Sequence, residues 1–174
     1  MKENNINLNK KIALDIGTGQ GGFSDCLLKH GAAKVYAVDV GKAFLTESLK
    51  KNPNLVYIPQ TDFRLLDTSL ITEKLVDFFC IDVSFISLTK LLGKAASLLK
   101  KNGEAVALIK PQFEAPKQLI GAGGVVTSKK TQQEVIDKVA KEALNYGLKM
   151  LNITASEIKG KKKHNQEFLS YFKK

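Results

Sequence analysis

Ala13-Leu-Asp-Ile-Gly-Thr-Gly-Gln-Gly-Gly-Phe23 is the stretch that decides the fold. A short apolar run ends at Ile16, and Gly17, Gly19, Gly21 and Gly22 follow before an amphipathic stretch begins. Glycines at this spacing let the backbone turn sharply and approach a ligand closely, as a strand-to-helix turn at the edge of a nucleotide-binding crevice must. Many nucleotide-binding folds carry such a turn, so the glycines alone do not identify the ligand.

Outward from this turn, short apolar strands alternate with amphipathic stretches. Strands are predicted at Ile12–Ile16, Lys34–Val38, Leu55–Ile58, Val76–Ile81 and Glu104–Ile109. Helices are predicted near Phe23–His30, Lys42–Lys50, Ser87–Leu99 and Ser128–Tyr146. The last is the most regular: Ser128 caps it, Val135, Val139 and Leu144 share a face with Ile136, Ala140 and Ala143, and Gly147 ends it. Two further strands, near Leu148–Ala155 and Gln166–Tyr171, are joined by a short lysine-rich loop and suit an antiparallel pair. The fold class is therefore α/β and Rossmann-like. A mostly parallel seven-stranded sheet carries helices on both faces and ends in an antiparallel hairpin.

In such sheets ligands bind beyond the carboxyl ends of the strands. Asp15 precedes the glycines, where a carboxylate suits a cationic aminoacyl group and opposes a pyrophosphate. S-adenosylmethionine is therefore favoured over a dinucleotide. Asp39, with Val40 after it, closes the second strand roughly 20 residues beyond the turn and suits both ribose hydroxyls. Asp62 and Phe63 follow the third strand, where an adenine edge would lie; a plain loop carboxylate beside Arg64 is the competing reading. Asp82 and Lys110 end the fourth and fifth strands and point toward the same crevice, unless they form only a surface salt bridge.

Composition narrows the function classes. The chain has 174 residues, 44% of them hydrophobic and 25% charged, which suits one globular domain. The longest apolar run, Ala105 to Ile109, is too short to cross a bilayer. No signal-peptide pattern is present, so a cytoplasmic location is expected. Cys26 and Cys80 lie in apolar surroundings with no Cys or His expected nearby, and are read as buried, reduced thiols rather than a disulfide or metal site. The formal net charge is +10, and of the 27 basic residues only Arg64 is an arginine. Such a surface favours polyanions, nucleic acid first among them. Lys50, Lys51, Lys100 and Lys101 follow helical stretches, where cations complement the helix dipole instead. The loop carrying Lys159, Lys161, Lys162 and Lys163 lies in sequence beside Glu167 and is expected to touch RNA phosphates.

Several phrases together resemble the hemolysin A (TlyA-like) family. They are Asp15 to Phe23, Ala37 to Gly41, Asp82 to Ser87, Lys110 to Glu114, Gly121 to Val126, Ile158 to Gly160 and Asn165 to Leu169. They run in order from about Lys11 to the C-terminus. The family resembles FtsJ-type ribose 2′-O-methyltransferases. The resemblance implies S-adenosylmethionine as cofactor, ribosomal RNA or ribosomal subunits as partner, and cytidine ribose as target. Cofactor contacts are then expected from Asp15, Gly17, Thr18, Gly19, Gly21, Gly22, Phe23, Asp39, Val40, Asp62, Phe63 and Asp82.

For catalysis the resemblance implies a Lys-Asp-Lys-Glu tetrad, with Asp82, Lys110 and Glu167 matching its last three members. The first lysine lies in the family upstream of the first strand and is expected to be missing from this chain, unless Lys2 on the head reaches its place. Lys10 and Lys11 enter that strand from the opposite edge of the sheet. An N-terminal S4-type RNA-binding domain is also expected to be absent, and Ala122 stands where the family has a lysine. Residues 1–10 are expected to form a flexible head and 11–174 the methyltransferase domain. Three other functions compete: a cofactor- and RNA-binding fragment with little catalysis, a membrane-lytic protein, and a methyltransferase acting on a small molecule or protein. No stretch combines a basic face with a large apolar one, which disfavours lysis.

Overall fold

The computed structural model describes residues 5–42, 45–156 and 165–174. In chain order the elements are β1 (Ile12–Ile16), α1 (Gly22–Lys29), β2 (Lys34–Val38), α2 (Glu47–Lys50) and β3 (Leu55–Ile58). Then come β4 (Val76–Ile81), α3 (Leu92–Leu98), β5 (Leu99–Ile109), α4 (Pro111–Glu114), α5 (Lys129–Asn145), β6 (Lys149–Ala155) and β7 (Phe168–Lys173). They build one seven-stranded sheet in the order β3-β2-β1-β4-β5-β7-β6. The pairs β1–β2, β1–β4, β2–β3 and β4–β5 are parallel, whereas β7 is antiparallel to both β5 and β6. The sheet is the expected one, with the last strand inserted between β5 and β6. The direction of strand order reverses between β1 and β4, which opens the crevice that α/β sheets use for ligands.

Two apolar layers flank the sheet. The larger packs α3 and α5 against it, with Phe79, Ile81, Leu92, Val139 and Phe172 at its centre. The smaller lies under α1 and contains Leu27, Val35, Phe78 and Leu8. Leu8 is 1% exposed, and the Lys10 amide donates to the Gly31 carbonyl at 2.8 Å. Residues 5–10, expected as a loose head, are thus held on the domain because Leu8 has an apolar site to fill. Among the described residues no helix is long and apolar enough to cross a membrane.

Other boundaries differ for identifiable reasons. β5 begins at Leu99 rather than Glu104, since Leu99 pairs with Val76 across an irregularity in the β4–β5 ladder. Lys100 then serves an ion pair with Asp77 at 2.7 Å rather than a helix terminus. Within the stretch predicted as one helix, Ser87 caps a separate 3-10 turn, Leu88–Lys90, before α3 starts. Of the helix predicted from Lys42, only Glu47–Lys50 forms among the described residues, capped by Thr46. On α5 the buried positions are Thr131, Val135, Val139 and Ala143, each four residues on from the last. Leu144, expected on that face, is 62% exposed because it falls one step round the helix.

A polar anchor fixes the far end of β2. The Tyr36 ring is fully buried, and its hydroxyl meets the Glu73 carboxylate and the Thr72 hydroxyl, while Lys34 Nζ reaches Glu73 Oε1 at 2.5 Å. Burial pushes the Glu73 carboxyl up, but the hydrogen bonds from Lys34 and Tyr36 outweigh it and bring the pKa down from 4.5 to about 2. The fold thus favours the charged form. Its contribution is complete above the unfolded value and fades as pH falls toward the folded one. Glu73→Gln should cost roughly 1–3 kcal/mol at pH 7. Urea unfolding should find the gap to wild type narrowing as pH drops from 4.5 toward 2.

Candidate active site

The turn after β1 is built around positions that reject a side chain. Gly17 has φ 84°, and a Cβ there would overlap the Asp82 carbonyl oxygen. At Gly21, with φ 89°, a Cβ would overlap Leu49 at the end of its side chain. The backbone itself pins the turn: Gly17 and Thr18 amides donate to the Val38 carbonyl at 2.8 and 3.2 Å, and the Asp82 amide donates to Ile16 at 2.9 Å. Three strand ends are thereby locked together before any side chain acts.

Asp15 supports this turn from behind. It is fully buried, and its Oδ2 accepts from Ser24 at 2.6 Å and Thr18 at 2.7 Å, with the Cys80 thiol 3.4 Å from Oδ1. Burial raises its pKa against the pull of those hydrogen bonds. Its carboxylate does not line the cavity described below, so it braces Thr18 and the start of α1 where direct contact with an aminoacyl group was expected. Asp39 does line it. Its Oδ2 accepts from the Gly19 amide and Oδ1 from the Gly41 amide, each at 2.7 Å, which aims the carboxylate across the turn.

The cavity measures about 830 Å³, in the range of sites that enclose a cofactor-sized ligand. Gly17, Thr18, Gly19, Gly22 and Phe23 form one wall, and Gly21 stands behind them against Leu49. Asp39, Val40, Asp62 and Phe63 form the second wall, and Asp82 and Lys110 close the far end. Phe63 is buried, whereas Val40 is 71% exposed at the rim. Asp62 caps its own turn and is gripped by Arg64, whose Nε lies 3.0 and 3.1 Å from its two oxygens and whose terminal nitrogen lies 2.5 Å from Oδ2. That grip and the Arg64 amide hold the Asp62 carboxyl below its ordinary range. The competing reading of Asp62, a loop carboxylate paired with Arg64, is thus the one seen in the geometry, although the residue also lines the cavity.

Lys110 Nζ stands 2.7 Å from Asp82 Oδ1 and 3.3 Å from Ser84 Oγ. The lysine side chain is 12% exposed and the aspartate 37%, so the pair is half enclosed where it lines the cavity. The contact is charge to charge, off the hydrogen-bonding axis of the buried Oδ1. Glu167 is buried beside this pair but bonds elsewhere: its Oε1 accepts from Gln112 Nε2 at 3.0 Å. Asp82 and Lys110 are therefore brought together directly, while Glu167 connects through the helical turn that follows Lys110. Lys159, Lys161, Lys162 and Lys163 fall outside the described residues.

Three features escaped the sequence reading. Phe85 is 92% exposed with φ 66° and leans on Phe113, their ring centres 5.2 Å apart, beside the Asp82–Lys110 pair. Nothing in the run Asp82 to Ser87 separates an outward phenylalanine from a core one. Cys26 lines the cavity and is half-buried, with Sγ 3.7 Å from His30 Nδ1, so it is neither fully buried nor remote from histidine. On a helix the two lie four residues apart, a spacing that could have revealed the contact. Glu114, apolar in neither type nor role, is buried at the end of α4.

A family model described as FtsJ-like methyltransferase matches residues 1–174. Hemolysin A of Brachyspira hyodysenteriae is 37% identical over 167 residues, covering 96% of this chain and 69% of that protein. The 16S/23S rRNA (cytidine-2′-O)-methyltransferase TlyA of Mycobacterium tuberculosis (strain CDC 1551 / Oshkosh) is 36% identical over 156 residues, covering 90% of this chain and 58% of the relative. A crystal structure from Lactococcus lactis, described as a hemolysin, superposes with a TM-score of 0.93 at 40% identity, covering 99% of this chain and 82% of that one. The chain thus spans between 58% and 69% of the length of these two curated relatives.

The contact at Gly17 yields a stability prediction. Gly17→Ala adds a methyl group where φ is 84° and the Asp82 carbonyl already stands. It should lower the unfolding free energy by about 2 kcal/mol or more. Gly19→Ala, with open space around its Cβ, should cost less, and a pair of urea titrations would rank them.

Proposed function

The chain belongs to the FtsJ-like methyltransferase family, and on that premise we propose that it binds S-adenosylmethionine and methylates a ribose 2′-hydroxyl of ribosomal RNA. One observation carries this reading: a single cavity runs from the glycine turn and Asp39 to the Asp82–Lys110 pair. Cofactor and acceptor would therefore meet where the lysine stands.

The residues fit the cofactor. Gly17 and Gly19 present bare backbone to the cavity, with open space around Gly19, and Asp39 keeps acceptor capacity beyond its two amide bonds. Asp39 holds the ribose hydroxyls, Asp62 and Phe63 the adenine, and Gly17, Thr18 and Gly19 the aminoacyl end, with Asp15 bracing that wall. Bound S-adenosylmethionine supplies a methyl group already activated on a sulfonium centre. The chain's own task is then to align the acceptor and move one proton. Lys110, once deprotonated, would take the proton of the attacking hydroxyl as the methyl passes from the sulfonium sulfur, left as a neutral thioether, to the hydroxyl oxygen. Asp82, 2.7 Å away, stabilises the ammonium that results. Ser84 fixes the direction of the amine. Glu167, bonded to Gln112 two residues after Lys110, would steady the segment that carries the amine.

The acceptor is read as RNA from charge and from the rim. The net charge of +10 favours a polyanion. Phe85, almost wholly exposed beside the amine, offers a flat face on which an unstacked base can rest. Lys159, Lys161, Lys162 and Lys163 would add phosphate contacts next to Glu167 in sequence.

Cofactor binding is checked by thermal denaturation. S-adenosylmethionine at a hundred times Kd should stabilise the fold by about 2.7 kcal/mol. Asp39→Ala should weaken that effect while leaving the domain folded.

Turnover is checked by radiolabelled methyl transfer to ribosomal subunits and to unmodified 16S and 23S rRNA transcripts. Lys110→Ala should lower the rate by about 10² to 10⁴ without loss of cofactor affinity. Lys110→Arg should also fail, because a guanidinium does not release its proton near neutral pH. Full activity in Lys110→Ala would remove the proton-transfer role. Cofactor binding with no transfer to any RNA would favour a binding fragment instead.

A further inference from the structure

Glu114 ends α4, the short turn that follows Lys110. Its side chain is 1% exposed. Oε2 accepts from the Ser87 hydroxyl at 2.5 Å, and Oε1 accepts from the Leu88 amide at 2.6 Å. Lys138 gives only a long ion pair: its Nζ lies 3.9 Å from Oε2 and donates to the Glu114 backbone carbonyl at 3.0 Å. A buried carboxyl without a close countercharge carries a desolvation cost, and burial pushes the Glu114 carboxyl up against its hydrogen bonds. An amide or an apolar side chain would fill the space more cheaply. The carboxylate is distinguished by what it joins.

Ser87 ends the loop that starts at Asp82, and Glu114 ends the segment that starts at Lys110. At their near ends these two segments make the 2.7 Å Asp82–Lys110 pair. Between the ends lie Phe85 and Phe113, one from each segment, in ring contact. The pair and the rings border the cavity or solvent, whereas the Leu88–Glu114 bond is buried. Glu114 itself does not line the cavity.

We propose that Glu114 is a positioning residue: its buried carboxylate bolts the Lys110 segment to the Asp82 loop, so that Asp82, Lys110 and Phe85 meet an acceptor in one fixed arrangement. This rests on the methyltransferase reading of the cleft. A carboxylate that served only packing would weaken the fold as a whole. A bolt between the two segments would slow transfer while leaving the cofactor wall, on the far side of Asp82, as it was.

The test uses the full chain as Glu114→Gln, Ser87→Ala and the double variant. Each should bind S-adenosylmethionine within about twofold of wild type yet transfer methyl about 10- to 100-fold more slowly at saturating rRNA. The double variant should be no slower than the worse single one, since both cut the same bond. A second readout needs no turnover. The chain has no tryptophan, so Phe85→Trp places one emitter on the Asp82 loop. In that background Glu114→Gln should lower the emission anisotropy. Unchanged transfer in both single variants would overturn the proposal, as would cofactor affinity falling in step with rate, or an unchanged anisotropy. Should Glu114→Gln fail to fold, Ser87→Ala, at a half-buried position, carries both readouts. If wild type methylates no RNA, the methyltransferase reading falls, and the anisotropy still decides whether the two segments are bolted.

Discussion

The approach of Gly17 to the Asp82 carbonyl is the constraint on which the site depends. It brings the ends of β1 and β4 closer than any side chain would permit. Backbone bonds from Gly17 to Val38 and from Asp82 to Ile16 then tie β2, β1 and β4 into one rim. Everything read as cofactor wall hangs from that rim: Asp39 follows Val38, and Asp15 lies one residue before Ile16. The acceptor side joins the same rim through Asp82 and through the β4–β5 ladder that leads to Lys110. Small changes there would reach both halves of the crevice, whereas changes beyond Ser87 or Lys110 would reach one.

The sheet was legible because each parallel strand is an apolar run with a turn on either side, and runs of that kind have few other uses. β1 to β4 stand where the apolar pattern puts them. The glycine turn and Asp39 were legible for a related reason, as their chemistry is local. What escaped was set by distant partners. β5 starts early because Leu99 finds Val76, and β7 starts late because Gln166 and Glu167 are occupied with Ser156 and Gln112. Asp15 turned inward because Ser24 and Thr18 offered hydroxyls that the sequence could not show to be within reach. Phe85 and Glu114 invert the usual rule that phenylalanine is buried and glutamate exposed. Single-position hydropathy misplaces such residues, and they are where a site departs from the economy of a core.

Charge also reads differently once partners are known. Lys11, Lys34 and Lys100 are held by Glu104, Glu73 and Asp77 at 2.6, 2.5 and 2.7 Å. Lys94 and Lys174 cap carbonyl groups, at Leu66 and at Ala96 and Leu99. These lysines clamp the ends of strands and helices, as complementary charge at such termini does. The net charge of +10 is unaltered by pairing, but its reach is uneven. Lysines fixed to the sheet contribute less to a phosphate-binding field than those on loops, so total charge alone would misjudge where a polyanion settles.

β7 lies between β5 and β6, and among the described residues β6 has no other neighbour in the sheet. Its ladder bonds therefore exist only while β7 is in place. Residues near Glu104 and Lys173 pair across most of the chain's second half, so this corner closes through a long loop. When β7 departs, β6 loses every strand partner at once, and Phe172 leaves the larger apolar layer with it. Amide protons in β6 can be no slower to exchange with solvent than the β7 insertion allows. The stability of β6 is thus bounded by that of β7, and Glu167, just before β7, shares the inner strand's fate.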